Sequence, residues 1–154
     1  MKYFRLLALV FVVMTWLSVQ SHAQDRGFGL GIVLGEPTGL SGKYWLNDRT
    51  AIDGALAWSF YHGSSFHLHA DYLIHSRNVF ETQEPLLLYY GVGARLKSGD
   101  IINTQFGIRG VIGVEYLLRS APIDLFLEVA PILDLTPATD LLFNAGIGAR
   151  FFFN

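Results

Sequence analysis

Residues 66–75 read FHLHADYLIH. Phe66, Leu68, Ala70, Tyr72 and Ile74 share one parity, and His67, His69, Asp71, Leu73 and His75 share the other. Successive side chains of a β-strand point to opposite faces, so this stretch as a strand has one bulky apolar face and one polar face. Residues 51–60, AIDGALAWSF, repeat the pattern. Ile52, Gly54, Leu56, Trp58 and Phe60 oppose Ala51, Asp53, Ala55, Ala57 and Ser59. It returns from Phe106 to Arg119, where Arg109, Glu115 and Arg119 lie opposite the apolar face. It returns again near the end, where Leu141, Phe143, Ala145, Ile147, Ala149, Phe151 and Phe153 oppose Asn144, Gly146, Gly148 and Arg150.

Turn-forming clusters separate these stretches: GEPTG at 35–39, NDR at 47–49, HGSS at 62–65, SRNVFETQEP at 76–85, SGDIINTQ at 98–105, SAP at 120–122 and TPATD at 136–140. Gly, Pro, Asn and Asp occupy them for their backbone preferences. The interruptions leave eight alternating segments of about 8 to 13 residues, with no helical period, no longer repeat and no domain boundary. The expectation is one all-β domain of eight antiparallel strands in up-and-down order.

The chain begins MKYFRLLALVFVVMTWLSVQSHAQ. Lys2 and Arg5 precede an apolar run, and Ser21-His22-Ala23 supplies the small residues of a cleavage site. This layout predicts a secretory signal peptide over 1–23 and a mature protein over 24–154. The run is shorter than the roughly 20 residues of a spanning helix, which argues against the alternative of an uncleaved anchor. The chain has no cysteine, which excludes a lipid-modified cysteine anchor and a disulfide framework. The net charge of −2 offers no basic footprint for nucleic acid. An exported chain that is 51% hydrophobic and has no second helix-length apolar run is either a soluble all-β protein or a closed membrane barrel.

The polarity of the alternation decides between them. A soluble ligand-binding barrel puts its bulky apolar residues inside. Here the bulky face is aromatic, while the other face combines Gly, Ala and Ser with Lys43, Asp53, Asp71, Arg95, Arg109, Glu115, Glu128 and Arg150. Eight strands enclose a space that side chains can just fill. Small residues with a few long charged ones fit that space, so the barrel is inside-out and its outer face suits lipid. With both termini on the periplasmic side, Phe28, Tyr44, Tyr116, Phe151 and Phe153 fall near one rim. Trp58, Phe60, Phe66, Phe106 and Phe143 fall near the other, as two aromatic girdles do.

On this pattern the mature chain resembles the small eight-stranded outer-membrane barrels, such as the transmembrane domain of OmpA and OmpX. The ending GIGARFFFN looks like the C-terminal signal read by barrel-assembly machinery, with Ile147, Ala149, Phe151 and Phe153 on one face, though it ends on Asn154 where Phe is usual. GEPTGLSGKYW at 35–45 is similar to the first hairpin of a family of uncharacterised small outer-membrane barrels. The resemblance implies an outer-membrane location, a monomer, and lipid and assembly machinery as partners; it implies no activity or cofactor.

Two motifs invite chemistry. His67, His69 and Asp71 share a face, and an H-x-H pair on a strand can bind one zinc ion. A hairpin that pairs Phe60 with Phe66 sets Ser59, Ala57 and Ala55 against them, which adds no ligand. Arg95 and Lys97 on the fifth strand oppose a cation. The expectation is a hydrogen-bonded lumen network in place of a metal site, because buried charges persist when paired. His62-Gly63-Ser64 is an H-x-S similar to that of lipid A deacylases, but the nearest following acids are Asp71, which faces inward, and Glu81. A nucleophile needs its base and orienting acid within hydrogen-bond reach. GVGARL at 91–96 keeps the barrel alternation and has no helix after it, so it is not a phosphate loop.

Three readings follow. The favoured one is a structural or interaction barrel with a plugged lumen. A narrow channel would need a gap in the network, for which Gly91, Gly93, Gly107, Gly146 and Gly148 are the candidates. A lipid-modifying hydrolase would need an acid beside His62 and Ser64. Two features fit the pattern less well. The connection 76–85 is long for a periplasmic turn and predicts an irregular insertion or a different strand count there. Pro131 cannot donate to a ladder and predicts a bulge.

Overall fold

Alternation without helical signals produces strands alone. The computed structural model describes residues 27–59, 65–99 and 103–153. The strands are β1 (Phe28–Gly35), β2 (Gly39–Trp45), β3 (Thr50–Ser59), β4 (Ser65–Ser76), β5 (Leu86–Gly99), β6 (Gln105–Leu117), β7 (Ile123–Thr136) and β8 (Asp140–Phe153). Each pairs antiparallel with the next, and β8 returns to β1 from Phe28↔Phe153 to Gly35↔Gly146. The sheet is a closed eight-stranded barrel with no free edge, the only sheet form that satisfies its backbone groups in hydrocarbon.

The expected alternation holds, with the charged residues inside. β4 alternates buried and exposed residues from His67 to His75, with the histidines and Asp71 inside and Leu68, Tyr72 and Ile74 outside. β7 does the same, with Asp124, Phe126, Glu128, Ala130, Ile132 and Asp134 inside. Outward residues such as Val92, Leu127 and Ile147 are more than half exposed, at 65%, 57% and 58%. A belt of this size and composition is a surface for lipid, so this is a transmembrane barrel.

The connection 77–85 is irregular and the strand count stays at eight. The bulge expected at Pro131 lies elsewhere. The register of β6 on β7 shifts between Phe106 and Gly107, which leaves Leu135 without a partner, while Arg109↔Ile132 and Ile112↔Val129 stay in phase on either side of Pro131. Gly110 lies beside Pro131, where a Cβ would come to 3.6 Å from the proline ring. A second correction concerns the β3–β4 hairpin, where Trp58 pairs with Phe66, Ala57 with His67 and Ala55 with His69. The register is shifted by two residues from a Phe60–Phe66 pairing. Parity survives a two-residue slip, so the faces were right while the partners were not. Arg119, expected inside, is exposed past the end of β6 in the connection 118–122, where it donates to the Gln83 carbonyl.

Candidate functional site

The lumen holds the chain's concentrated chemistry. Lys43, Asp53, Asp71, Arg95, Arg109, Glu115, Glu128 and Arg150 all point inward and are buried. Asp124, Asp134 and His75 join them there.

Toward the end where the termini lie, Lys43 Nζ donates to both oxygens of Glu115 at 2.5 and 2.7 Å, and lies 2.9 Å from His75 Nε2. His75 Nε2 is itself 3.3 Å from Glu115 Oε2. Arg150 closes the cluster. Its Nε donates to Asp124 at 3.0 and 3.1 Å, its Nη1 to Asp53 at 3.1 Å and its Nη2 to Glu115 at 3.3 Å. Two rings sit against these cations: Trp45 has Lys43 Nζ 4.2 Å from its centroid, and Phe126 has the Arg150 guanidinium 4.1 Å from its own. Cations over aromatic faces are stabilised by the ring quadrupole, more so when desolvated.

Above this layer, Arg109 joins Asp71 and Glu128 at 2.8 Å each, and Tyr89 donates its hydroxyl to Glu128 at 3.0 Å. Nearer the other mouth, Arg95 pairs with Asp134. These contacts share a construction. Arg109 reaches Asp71 across Gly93, Tyr89 reaches Glu128 across Gly113, and Arg95 reaches Asp134 across Gly107. In each case a Cβ on the glycine would overlap a side chain that lies over it: Asp71 over Gly93, Tyr89 over Gly113, Asp134 over Gly107. The inward glycines are therefore seats for crossing side chains. Gly93 and Gly107, candidates for a gap, are covered, and Gly148 lies under the Phe126 ring.

The lumen is also more apolar than small residues alone would make it. Trp45, Ala51, Leu87, Leu117 and Phe152 form an apolar floor at the terminal end. Val33, Ala55, Leu73, Tyr89, Val111, Phe126 and Ala130 fill the middle. Large inward side chains were not expected; Trp45, Leu73, Tyr89, Phe126 and Phe152 each pair with a Gly or Ala on a neighbouring strand.

His67 and His69 approach to 3.5 Å between ring nitrogens, and His69 Nε2 lies 3.9 Å from Asp71. Their register partners are Lys97 and Arg95 on one side and Ala57 and Ala55 on the other. Asp71 is engaged by Arg109. Among the described residues no group of three or more such side chains has the arrangement to hold a metal ion. His62 and Ser64 lie outside the described residues, as do Phe60 and the segment 1–23. Of the two acids that follow that pair in sequence, Asp71 is buried in the lumen and Glu81 lies in the connection 77–85.

Of the expected girdle residues, Phe28, Tyr44 and Phe153 at one rim and Trp58, Phe106 and Phe143 at the other are exposed on the outer wall. Phe66, Tyr116 and Phe151 are half-buried there. Trp58 packs edge-on against Phe66 with centroids 5.7 Å apart, and Phe151 against Phe153 at 5.1 Å. The Tyr116 hydroxyl donates to Glu84 at 3.0 Å in the connection beyond the wall.

No family model and no curated protein matches this chain. Among solved structures, that of Neisserial surface protein A resembles it with a TM-score of 0.50 at 19% identity, over 82% of this chain and 93% of that one. The likeness is one of fold.

Proposed function

We propose that this protein is a monomeric barrel of the bacterial outer membrane with a closed lumen, acting as a structural or interaction element and neither a pore nor an enzyme. The observation that carries the reading is the cluster around Glu115 and Arg150. It draws side chains from β2, β3, β4, β6, β7 and β8 into one ion-paired cross-section above an apolar floor. Permeation through it would require opening buried ion pairs, each a several-kcal/mol event. The location is supported by the apolar belt, by the leader-like N-terminal stretch and by the fold likeness to a protein named for a surface. The apolar face of β8, from Ile147 to Phe153, is the element we propose is read during assembly.

Single-channel recording tests this reading. The wild-type barrel in planar bilayers should show no steady conductance, and Arg109→Ala and Glu115→Ala should introduce openings. Resolved openings in the wild type that are altered by those substitutions would instead make the lumen a narrow channel, with the same residues setting its selectivity.

A further inference from the structure

At the end of the barrel where the termini lie, the β2–β3 turn and the connection 77–85 lean together. His75 N–H donates to the Arg49 carbonyl at 2.7 Å, and Arg77 donates to the Asp48 carbonyl through Nη2 at 3.2 Å and Nε at 3.4 Å. Between them lies a cavity of about 480 Å³. One side presents Arg49, Arg77 and Asn78; the other presents Ile74, Val79 and Tyr90.

The two sides meet different solvents. Ile74 and Tyr90 are register partners on β4 and β5 and face outward at the foot of the apolar belt. Val79 is 51% exposed in the connection 77–85, beside the half-buried Phe80. The Arg49 guanidinium engages no group among the described residues. Arginine forks match phosphate oxygens bidentately. A cationic rim directly above an apolar foot, at the level where a membrane passes from acyl chains to headgroups, has the polarity of a phospholipid.

We infer that this cavity is a site for one phospholipid of the adjacent leaflet, its phosphate on Arg49 and Arg77 and an acyl chain along Ile74, Val79 and Tyr90. The inference rests on the reading of the chain as a membrane barrel. The Asp48 and Glu81 carboxylates nearby in sequence make a lipid with a second free anion a poor fit, and a single phosphodiester the better one.

The test uses the full chain, expressed with its leader stretch, extracted from membranes in mild detergent and titrated with phosphatidylglycerol by native mass spectrometry. One bound lipid per barrel is expected, with apparent affinity weakened at least tenfold in Arg49→Gln/Arg77→Gln. Val79→Asp attacks the apolar half without touching either arginine and should weaken binding at least fivefold. Folding of each variant is read from its heat-modifiable gel mobility. Glycerol phosphate, the headgroup without chains, should not displace the lipid; displacement would mark a free-phosphate site and overturn the inference. Binding by both variants within twofold of wild type would overturn it, as would an inserted wild type that retains no lipid. A wild type recovered outside the membrane would overturn the membrane reading itself.

Discussion

Arg109 Nε lies 2.8 Å from Asp71 Oδ2 although β5 separates their strands, and Gly93 occupies the point of β5 that the contact crosses. A methyl group there would overlap both Asp71 Oδ1 and the Ala70 carbonyl. Gly42 differs: it faces outward, and the nearest atom to a Cβ is 3.6 Å away on Leu30.

Gly93→Ala should therefore destabilise the barrel by about 1–3 kcal/mol or more, as overpacking a filled interior does. Gly42→Ala should be within about 0.5 kcal/mol of wild type, as for surface changes away from special features. Urea unfolding in lipid vesicles compares the two. Equal midpoints would mean that Gly93 is a strand residue like any other and that the crossing contact is not built on it.

The described lumen carries four buried cations, Lys43, Arg95, Arg109 and Arg150, against six buried carboxylates, Asp53, Asp71, Glu115, Asp124, Glu128 and Asp134. With acids in excess, a cation that serves two acids should cost more to remove than either of those acids. Arg109→Met strands Asp71 and Glu128 together and should cost about 3–5 kcal/mol, the usual range for breaking a buried pair from one side. Asp71→Asn leaves Arg109 with Glu128 and also relieves the apposition of Asp71 with Asp53, its register partner, so its loss should be smaller. The reverse order in unfolding midpoints would show that local geometry outweighs the charge balance.

Parity made the walls legible and also marks the limit of that legibility. The inward face of β7 is visible in IDLFLEVAPILDL at 123–135 once Glu128 is placed inside, because Asp124 and Asp134 share its parity. These two acids went unread because each stands near a turn, where a charged residue is ordinarily solvated. His75 belongs to the same face as His67 and His69 and was visible as such; its place between Lys43 and Glu115 depends on tertiary contacts across the lumen. Partner identities across the hairpin connections were not legible, since a slip of two residues preserves every face. Nor was the apolar floor, where Trp45, Leu117 and Phe152 cluster at the terminal end of the lumen. A rule that puts small residues inside misses large side chains such as Tyr89 and Phe126, each of which lies over a glycine of the neighbouring strand.

Lys43 and Glu115 are each fully buried and joined by two hydrogen bonds, but their remaining partners differ. Without Lys43, Glu115 keeps Arg150 and His75; without Glu115, Lys43 keeps His75 and stands under the Arg150 field. Glu115→Gln should thus destabilise more than Lys43→Met. The double variant should fall short of the sum of the two singles by about 0.5–3 kcal/mol, the range found for residues in one network. Additive losses in a double-mutant cycle would show that the pair does not act as one unit of the lumen network.

The outer wall answers to a different solvent, and its response to charge should depend on depth. Val92 stands midway along β5, 65% exposed on the apolar belt. Leu46 is 46% exposed but lies just past the end of β2, at the rim. Val92→Arg should cost about 2–4 kcal/mol and Leu46→Arg about 0–1 kcal/mol, following the depth dependence of arginine on a barrel wall. Both substitutions would be nearly neutral if the belt faced water, since each adds a charge to an exposed position. Refolding into vesicles, read by heat-modifiable mobility and urea midpoint, separates these outcomes. A neutral Val92→Arg would remove the lipid-facing assignment of the belt on which the depth argument stands.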